Sequence, residues 1–352
     1  MGRVTTDRDA AAAPSQAASD AAAEVQERYG RFARDEAPGR SALYEEWAAG
    51  IAADVEAAAI LARIPATRRQ PPLVFAITRL LGAPLAPFEE WSSWLGTHAD
   101  AVLAESAQRG LQTNEPLRCA ALLPALSTVD GPIALLEIGA SAGLCLFPDR
   151  YSYRYTGARD AALDPEDGPS TVILESELRG AAAAQAPLRM PDVVWRAGID
   201  LAPLDARDGS DRRFLTTLAW PGEDGRAQRI EAALDIVAAD PPEIVRGDAT
   251  DPAVLQELIE RAPSHATLVI TTPGVLPHIP WAGREGLIAT LAAAPAVWIT
   301  IDPPTLHEAW VPAIDAAEWD GFVLARDARP LAAVDPLGAF VEWRPRGSTT
   351  RG

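Results

Sequence analysis

The chain has 352 residues, 48% of them hydrophobic, and a formal net charge of −18. Its 31 basic residues are all arginine, and the absence of lysine excludes Schiff-base catalysis, a pyridoxal phosphate anchor and a P-loop. The acidic balance argues against a nucleic-acid partner, because phosphate binding needs a basic surface.

Cys119 and Cys145 are too few for a disulfide framework or a structural zinc site. His98, His265, His278 and His307 lack metal-ligand spacing, so no metal is expected. No signal-peptide pattern opens the sequence, and no apolar run reaches the ~18 residues of a membrane span. A cytoplasmic protein without a membrane partner is the expectation.

Residues 1–25, rich in Ala with Ser, Asp and Pro14, read as a flexible tail. Residues 26–130 read as a helical cap domain: Val25, Tyr29, Phe32 and Ala33 recur at helical spacing, as do Leu43, Trp47, Ile51 and Val55. Pro65, Pro71, Pro72, Pro84 and Pro87 set the turns, and Trp91, Trp94 and Leu95 open a further helix. Gly131-Pro132 then breaks the helical texture.

Residues 131–346 alternate short apolar runs with helical stretches, and 347–352 form a tail. The strand candidates are Ala134–Ile138, Val193–Ile199, Glu243–Val245, Ala266–Thr271 and Ala296–Ile301. Helices are expected at Arg226–Ala239, Pro252–Arg261 and Arg284–Ala293. Such alternation predicts an α/β domain with a parallel sheet covered on both faces. Phe322–Arg326 and Ala339–Arg344, separated by Pro330, Asp335, Pro336 and Gly338, predict a closing antiparallel hairpin.

The most informative stretch is Leu135–Leu144, an apolar strand ending in Glu137 and followed by Gly139, Ala140, Ser141, Ala142 and Gly143. Tiny residues let a ligand approach the backbone closely. The spacing resembles the acid-x-Gly-x-Gly-x-Gly loop of class I S-adenosylmethionine methyltransferases, with Ser141 replacing the middle glycine. A dinucleotide fingerprint would place its third glycine one position later.

Later segments resemble that family in the same order. Glu243–Ala249 is similar to its strand ending in Gly-Asp-Ala, and Ala266–Thr272 with Val275–His278 is similar to the strand and loop facing the transfer site. The resemblance implies a Rossmann-like sheet and S-adenosylmethionine as cofactor. It implies Glu137 near the methionine amino end, Asp248 near adenine, and Gly139, Ser141, Gly143 and Thr271 lining the pocket. The ribose acid is best matched by Asp200, with Glu175 and Glu177 as alternatives. Asp200 requires an insertion over roughly 157–191.

Several blocks together resemble an actinobacterial family of unknown function, the DUF2332 proteins. They are Gln112–Glu115, Arg118–Pro124, Glu137–Leu144 with Asp149–Tyr151, Arg196–Asp205, Trp220-Pro221 through Arg226 and Arg229, and Gly247-Asp248. Cys145, Gly222-Glu223 and Thr271–Pro273 depart from that pattern and remove polar groups near the expected site.

Thr113-Asn114-Glu115 precedes the sheet, and Asn114 and Glu115 could grip an amine or amide from the helical side; a helix cap before Pro116 is the alternative. Asp302-Pro303-Pro304 resembles the Asp-Pro-Pro motif of amino-group methyltransferases, on a different strand and without its aromatic residue. Asp302 still ends a strand at the ligand crevice of an open sheet. His278 and His307 are the histidines near strand ends, and His278 is the better candidate base. Trp220 either stacks on a ligand or packs beneath the sheet. Together these readings predict an S-adenosylmethionine-dependent, methyltransferase-like enzyme for a small, amine-bearing molecule, of the kind found in natural-product biosynthesis. The alternatives are a pseudo-methyltransferase serving as partner subunit and, more weakly, an NAD-linked oxidoreductase.

Overall fold

The computed structural model describes residues 16–112, 114–306 and 310–344. Both expected tails lie wholly or partly outside these residues, as do Thr113 and His307. The described chain divides into two compact units, one made of residues up to Leu111 together with Thr217–Asp224, the other of the remainder.

The first unit is helical. Helices α1 (Gln16–Asp35), α2 (Ala42–Ala53), α3 (Val55–Ala62), α4 (Pro71–Leu80) and α5 (Phe88–Gln108) follow in order. Residues 16–25, expected in the tail, already belong to α1, because their alanines are strong helix formers and Ala22 and Val25 find a buried face. Val55 leaves the expected stripe: Asp54 ends α2, caps α3 by accepting the Glu56 and Ala57 amides, and turns Val55 outward at 65% exposure.

Aromatic rings fill this unit's core. Trp47 stacks on Trp91 with centroids 5.1 Å apart, and Tyr44 meets Phe75 at 4.7 Å. Gly50 lets α2 approach the start of α5 closely, since a Cβ there would lie 2.2 Å from the Phe88 ring. Trp220 packs here rather than beneath the sheet, 5.3 Å from Phe32 with the Arg40 guanidinium 3.6 Å over its ring.

The second unit is α/β. It opens with α6 (Arg118–Leu126) and contains, among the described residues, an eleven-stranded mixed sheet. Helix α6 packs against strands, which is why the unit begins upstream of Gly131, where the sequence texture changes. Five strands are mutually parallel: β1 (Pro132–Ile138), β5 (Asp192–Asp200), β6 (Glu243–Arg246), β7 (Thr267–Pro273) and β8 (Val297–Asp302). They lie in the order β6-β5-β1-β7-β8, so chain direction reverses across the sheet between β1 and β7. Open α/β sheets hold ligands beyond the carboxyl ends of strands at such a point.

The insertion before β5 forms β2 (Ser152–Gly157), β3 (Ala161–Leu163) and β4 (Ile173–Arg179), which extend the far edge of the sheet. Tyr151, Tyr153 and Tyr155 are buried there, and each hydroxyl donates to a backbone carbonyl. The expected hairpin is instead a meander of β9 (Phe322–Arg326), β10 (Arg329–Val334) and β11 (Phe340–Trp343). Pro330 lies inside β10, where the pairing register shifts, and the chain reverses at Asp327-Ala328, both with positive φ. That geometry suits a two-residue hairpin turn, although the residues are not those that usually announce one.

Between β5 and β6 lie α7 (Gly209–Thr217) and α8 (Arg226–Ala239). Helices α9 (Pro252–Glu260) and α10 (Trp281–Ala293) complete the β6–β7 and β7–β8 crossovers. On one face Leu136, Ile138, Ile199, Ile270 and Trp298 form a core with Leu255, Leu258, Leu287 and Leu291. No helix among the described residues is long and apolar enough to cross a membrane.

Candidate functional site at the carboxyl ends of the parallel strands

The turn after β1 is held by its own protein. The amides of Gly139 and Ala140 donate to Ile199 O at 2.8 and 3.2 Å, and that of Gly143 donates to Ala140 O at 2.7 Å. Ser141 N donates to Asp200 Oδ2 at 2.8 Å, and Ala142 N donates to Asn114 Oδ1 at 3.2 Å. Asn114 Nδ2 donates in turn to Ser141 Oγ. A three-residue 3-10 turn, Leu144–Leu146, follows the loop in place of a helix.

The glycines answer to packing. Gly139 has φ +77°, and a Cβ on it would lie 2.6 Å from Val275 Cγ2. Gly143 has φ +81° and would meet Pro242 at 3.0 Å. Neighbouring side chains account for this smallness without a ligand's approach. A groove of about 240 Å³ runs beside the loop, lined by Ala142, Leu204, Arg207, Val237, Pro242 and Ile244 among others.

The predicted site residues fall into distinct environments. Asp200 ends β5 as expected, but its second oxygen also holds a backbone amide, that of Ala202, at 2.8 Å. Asp248 is exposed and caps its own turn, its Oδ1 accepting the Thr250 amide at 2.9 Å and hydroxyl at 2.7 Å. Glu115 is fully buried and takes Arg226 Nε at 2.8 Å and Arg229 Nε at 2.9 Å. It therefore staples the start of α8 to the segment before α6. Asn114 and Glu115 both belong to the sheet-bearing unit, not to the helical one.

Glu137 is different. It is 3% exposed, and among the described residues its Oε2 has no hydrogen-bond partner. Its register partners are Gly198 on β5 and Thr271 on β7, so it shares a face with buried Thr271. Burial pushes its carboxyl well above the ordinary range, with Cys145 and Asp200 adding to the shift and Arg118 opposing it.

Asp302, at the end of β8, is a second such group on the opposite face. Among the described residues its Oδ1 has no partner, while its Oδ2 accepts the Thr300 hydroxyl. Trp298 Nε1 donates to Thr272 Oγ1 at 3.0 Å, and that hydroxyl donates to Thr300 Oγ1 at 2.7 Å. An indole N–H can only donate, so the chain's hydrogens run toward Asp302. Burial raises the carboxyl to about 7, against the lowering effects of the Thr300 bond, Arg118 and Arg284. His278 lies exposed in the turn after β7, its pKa lowered by desolvation and by Arg118.

Arg118 acts on Glu137, Asp302 and His278 alike, yet no sequence motif singles it out as a site residue. Its Nη1 donates to Pro273 O at 2.7 Å and its Nε to Pro336 O at 2.9 Å. The available signal was a charge opening the otherwise apolar run Arg118–Leu126. Among the described residues, no group of acids, cysteines and histidines could hold a metal.

Comparison with known proteins gives one family, described as "Uncharacterized protein conserved in bacteria (DUF2332)", whose model matches residues 82–343. No curated protein matches the chain.

Proposed function

Since the chain belongs to the DUF2332 family, whose description carries no activity, we propose from the site itself a methyltransferase-like enzyme that uses S-adenosylmethionine on a small, amine-bearing molecule. The observation that carries this reading is Glu137, a buried carboxyl with an unpartnered oxygen where the parallel sheet reverses order. An orphaned buried acceptor is costly unless a ligand donor meets it. The amino group of such a cofactor is a donor of the required kind.

The bound cofactor would supply an electrophilic carbon beside its sulfonium; the protein's task is alignment. Glu137 would accept the cofactor's N–H, with Thr271 beside it. Asp302 is suited to receive the proton that an amine acceptor loses, because its Oδ1 is free and its pKa stands about 7. Asp200 and Asp248 are engaged with backbone amides, so neither is assigned to ribose or adenine. The groove beside the loop is the space open to an adenosyl ring.

A second reading is favoured by the loop. With its amides all bonded internally, the turn has the self-sufficiency of a pseudo-methyltransferase that serves as a partner subunit. The same bonds disfavour an NAD-linked oxidoreductase, whose pyrophosphate needs free amides and a helix N-terminus. Calorimetric titration with S-adenosylmethionine, S-adenosylhomocysteine and NAD separates the three. Heat with the first two and none with NAD is expected, together with release of S-adenosylhomocysteine when small amines are supplied. No heat at millimolar concentration would abandon the enzyme reading for the partner subunit.

A further inference from the structure

We propose that Arg118 binds the carboxylate of the ligand whose amino group meets Glu137, so that the site selects molecules with an α-amino-acid end. This rests on the preceding reading only in placing the ligand at Glu137; it does not require an adenosyl group.

The guanidinium is held as a platform with one edge left over. Nη1 and Nε are spent on the carbonyls of Pro273 and Pro336, and among the described residues no hydrogen bond is made by Nη2. Residue 274 keeps that edge uncovered: a Cβ on Gly274, which has φ +74°, would lie 3.0 Å from Nη2. Arg118 is 8% exposed, and Gly274 and Val275, which follow its acceptor Pro273, are half-buried.

Arg118 and Glu137 sense each other's charge, yet no hydrogen bond or ion pair joins them. Each therefore keeps bonding capacity that its partner does not consume. A simple anion would satisfy Arg118 but face Glu137 and Asp200. A simple amine would satisfy Glu137 but face the guanidinium. A zwitterion offers the guanidinium a carboxylate and the unpartnered Glu137 oxygen an N–H donor at once, and a planar guanidinium edge matches a carboxylate well.

The test is calorimetry on the full chain with S-adenosylhomocysteine, with 5′-methylthioadenosine, which keeps the adenosyl thioether but lacks the amino-acid end, and with L-methionine. S-adenosylhomocysteine should bind about 100-fold more tightly than methylthioadenosine. Gly274→Ala, which covers Nη2 and leaves Arg118 anchored, should remove that advantage while methylthioadenosine binding stays the same. If the alanine variant fails to fold, Arg118→Lys, which keeps the charge and loses the flat edge, should reduce the advantage at least tenfold. Equal binding of the two adenosyl compounds overturns this inference and leaves the adenosyl reading standing. Binding of L-methionine with neither adenosyl compound keeps the inference and ends the adenosyl reading. No binding by any of the three overturns both.

Discussion

Asn114 and Ser141 are joined side chain to side chain, and the same asparagine accepts the next loop amide, that of Ala142, at 3.2 Å. One residue upstream of α6 thus closes the turn after β1 by two bonds, both buried. Asn114→Ala should leave the Ala142 amide without its acceptor and lower stability by about 1–3 kcal/mol. Urea denaturation measures the loss. Hydrogen exchange at Ala142 should quicken more than exchange in β1; equal exchange would show that the loop does not depend on Asn114.

Glu115 faces two guanidiniums, and its removal is a harsher change. Glu115→Ala should cost roughly 3–5 kcal/mol, because Arg226 and Arg229 lose a buried carboxylate. Glu115→Gln should cost less, since its amide oxygen can still accept one bond. Denaturation midpoints of the two variants check the order; an alanine variant as stable as the parent would remove the staple assigned here.

At Gly139 both backbone and space oppose a side chain. Gly139→Ala should destabilise by about 1–2 kcal/mol from its left-handed φ alone, with overlap against Val275 added. Val275→Ala removes the nearest methyl and should relieve most of the overlap, leaving the 3.0 Å approach to its Cβ and the φ part. A double-mutant cycle by thermal unfolding should therefore give a coupling of about 0.5 kcal/mol or more. A coupling near zero would mean that the loop moves aside without cost.

The pH dependence follows from Asp302. Its folded pKa of about 7 stands above the ordinary 3.8, so between those values the folded chain holds a proton that the unfolded chain has lost. This contribution is fully present below pH 3.8 and disappears as pH rises through about 7. Glu137 is shifted in the same direction. The urea midpoint should fall between about pH 5 and about pH 8, and Asp302→Asn should fall less. A variant with the parent's full pH dependence would show that Asp302 ionises freely in the folded state.

Much of the sheet was legible in the sequence. Apolar runs bounded by turn residues marked β1, β5, β6, β7 and β8, and Asp200 stands at the end of β5 because it directly follows the run Val193–Ile199, although chain distance alone points to Tyr151–Tyr155. Those features are local: side-chain alternation, chain reversal and crossover length act over a few residues. β10 was hidden because Asp327-Ala328 makes its turn without Gly or Asn, and Pro330 reads as a breaker even though a register shift admits it. The aromatic role of Trp220 was equally hidden, since its partners Phe32 and Arg40 lie far upstream.

Sequence alone settles which residue types stand at the carboxyl ends of the parallel strands: Glu137 at the end of β1, a run of tiny residues after it, and Asp302 at the end of β8. Tertiary structure decided what each can do. Asp200 and Glu115 are acids by sequence, but folding gives each a hydrogen-bond donor from far along the chain, while among the described residues Glu137 Oε2 and Asp302 Oδ1 receive none. Spacing can place a carboxyl at a strand end. Whether that carboxyl is free depends on donors dozens of residues away, which only the closed fold brings within hydrogen-bonding distance.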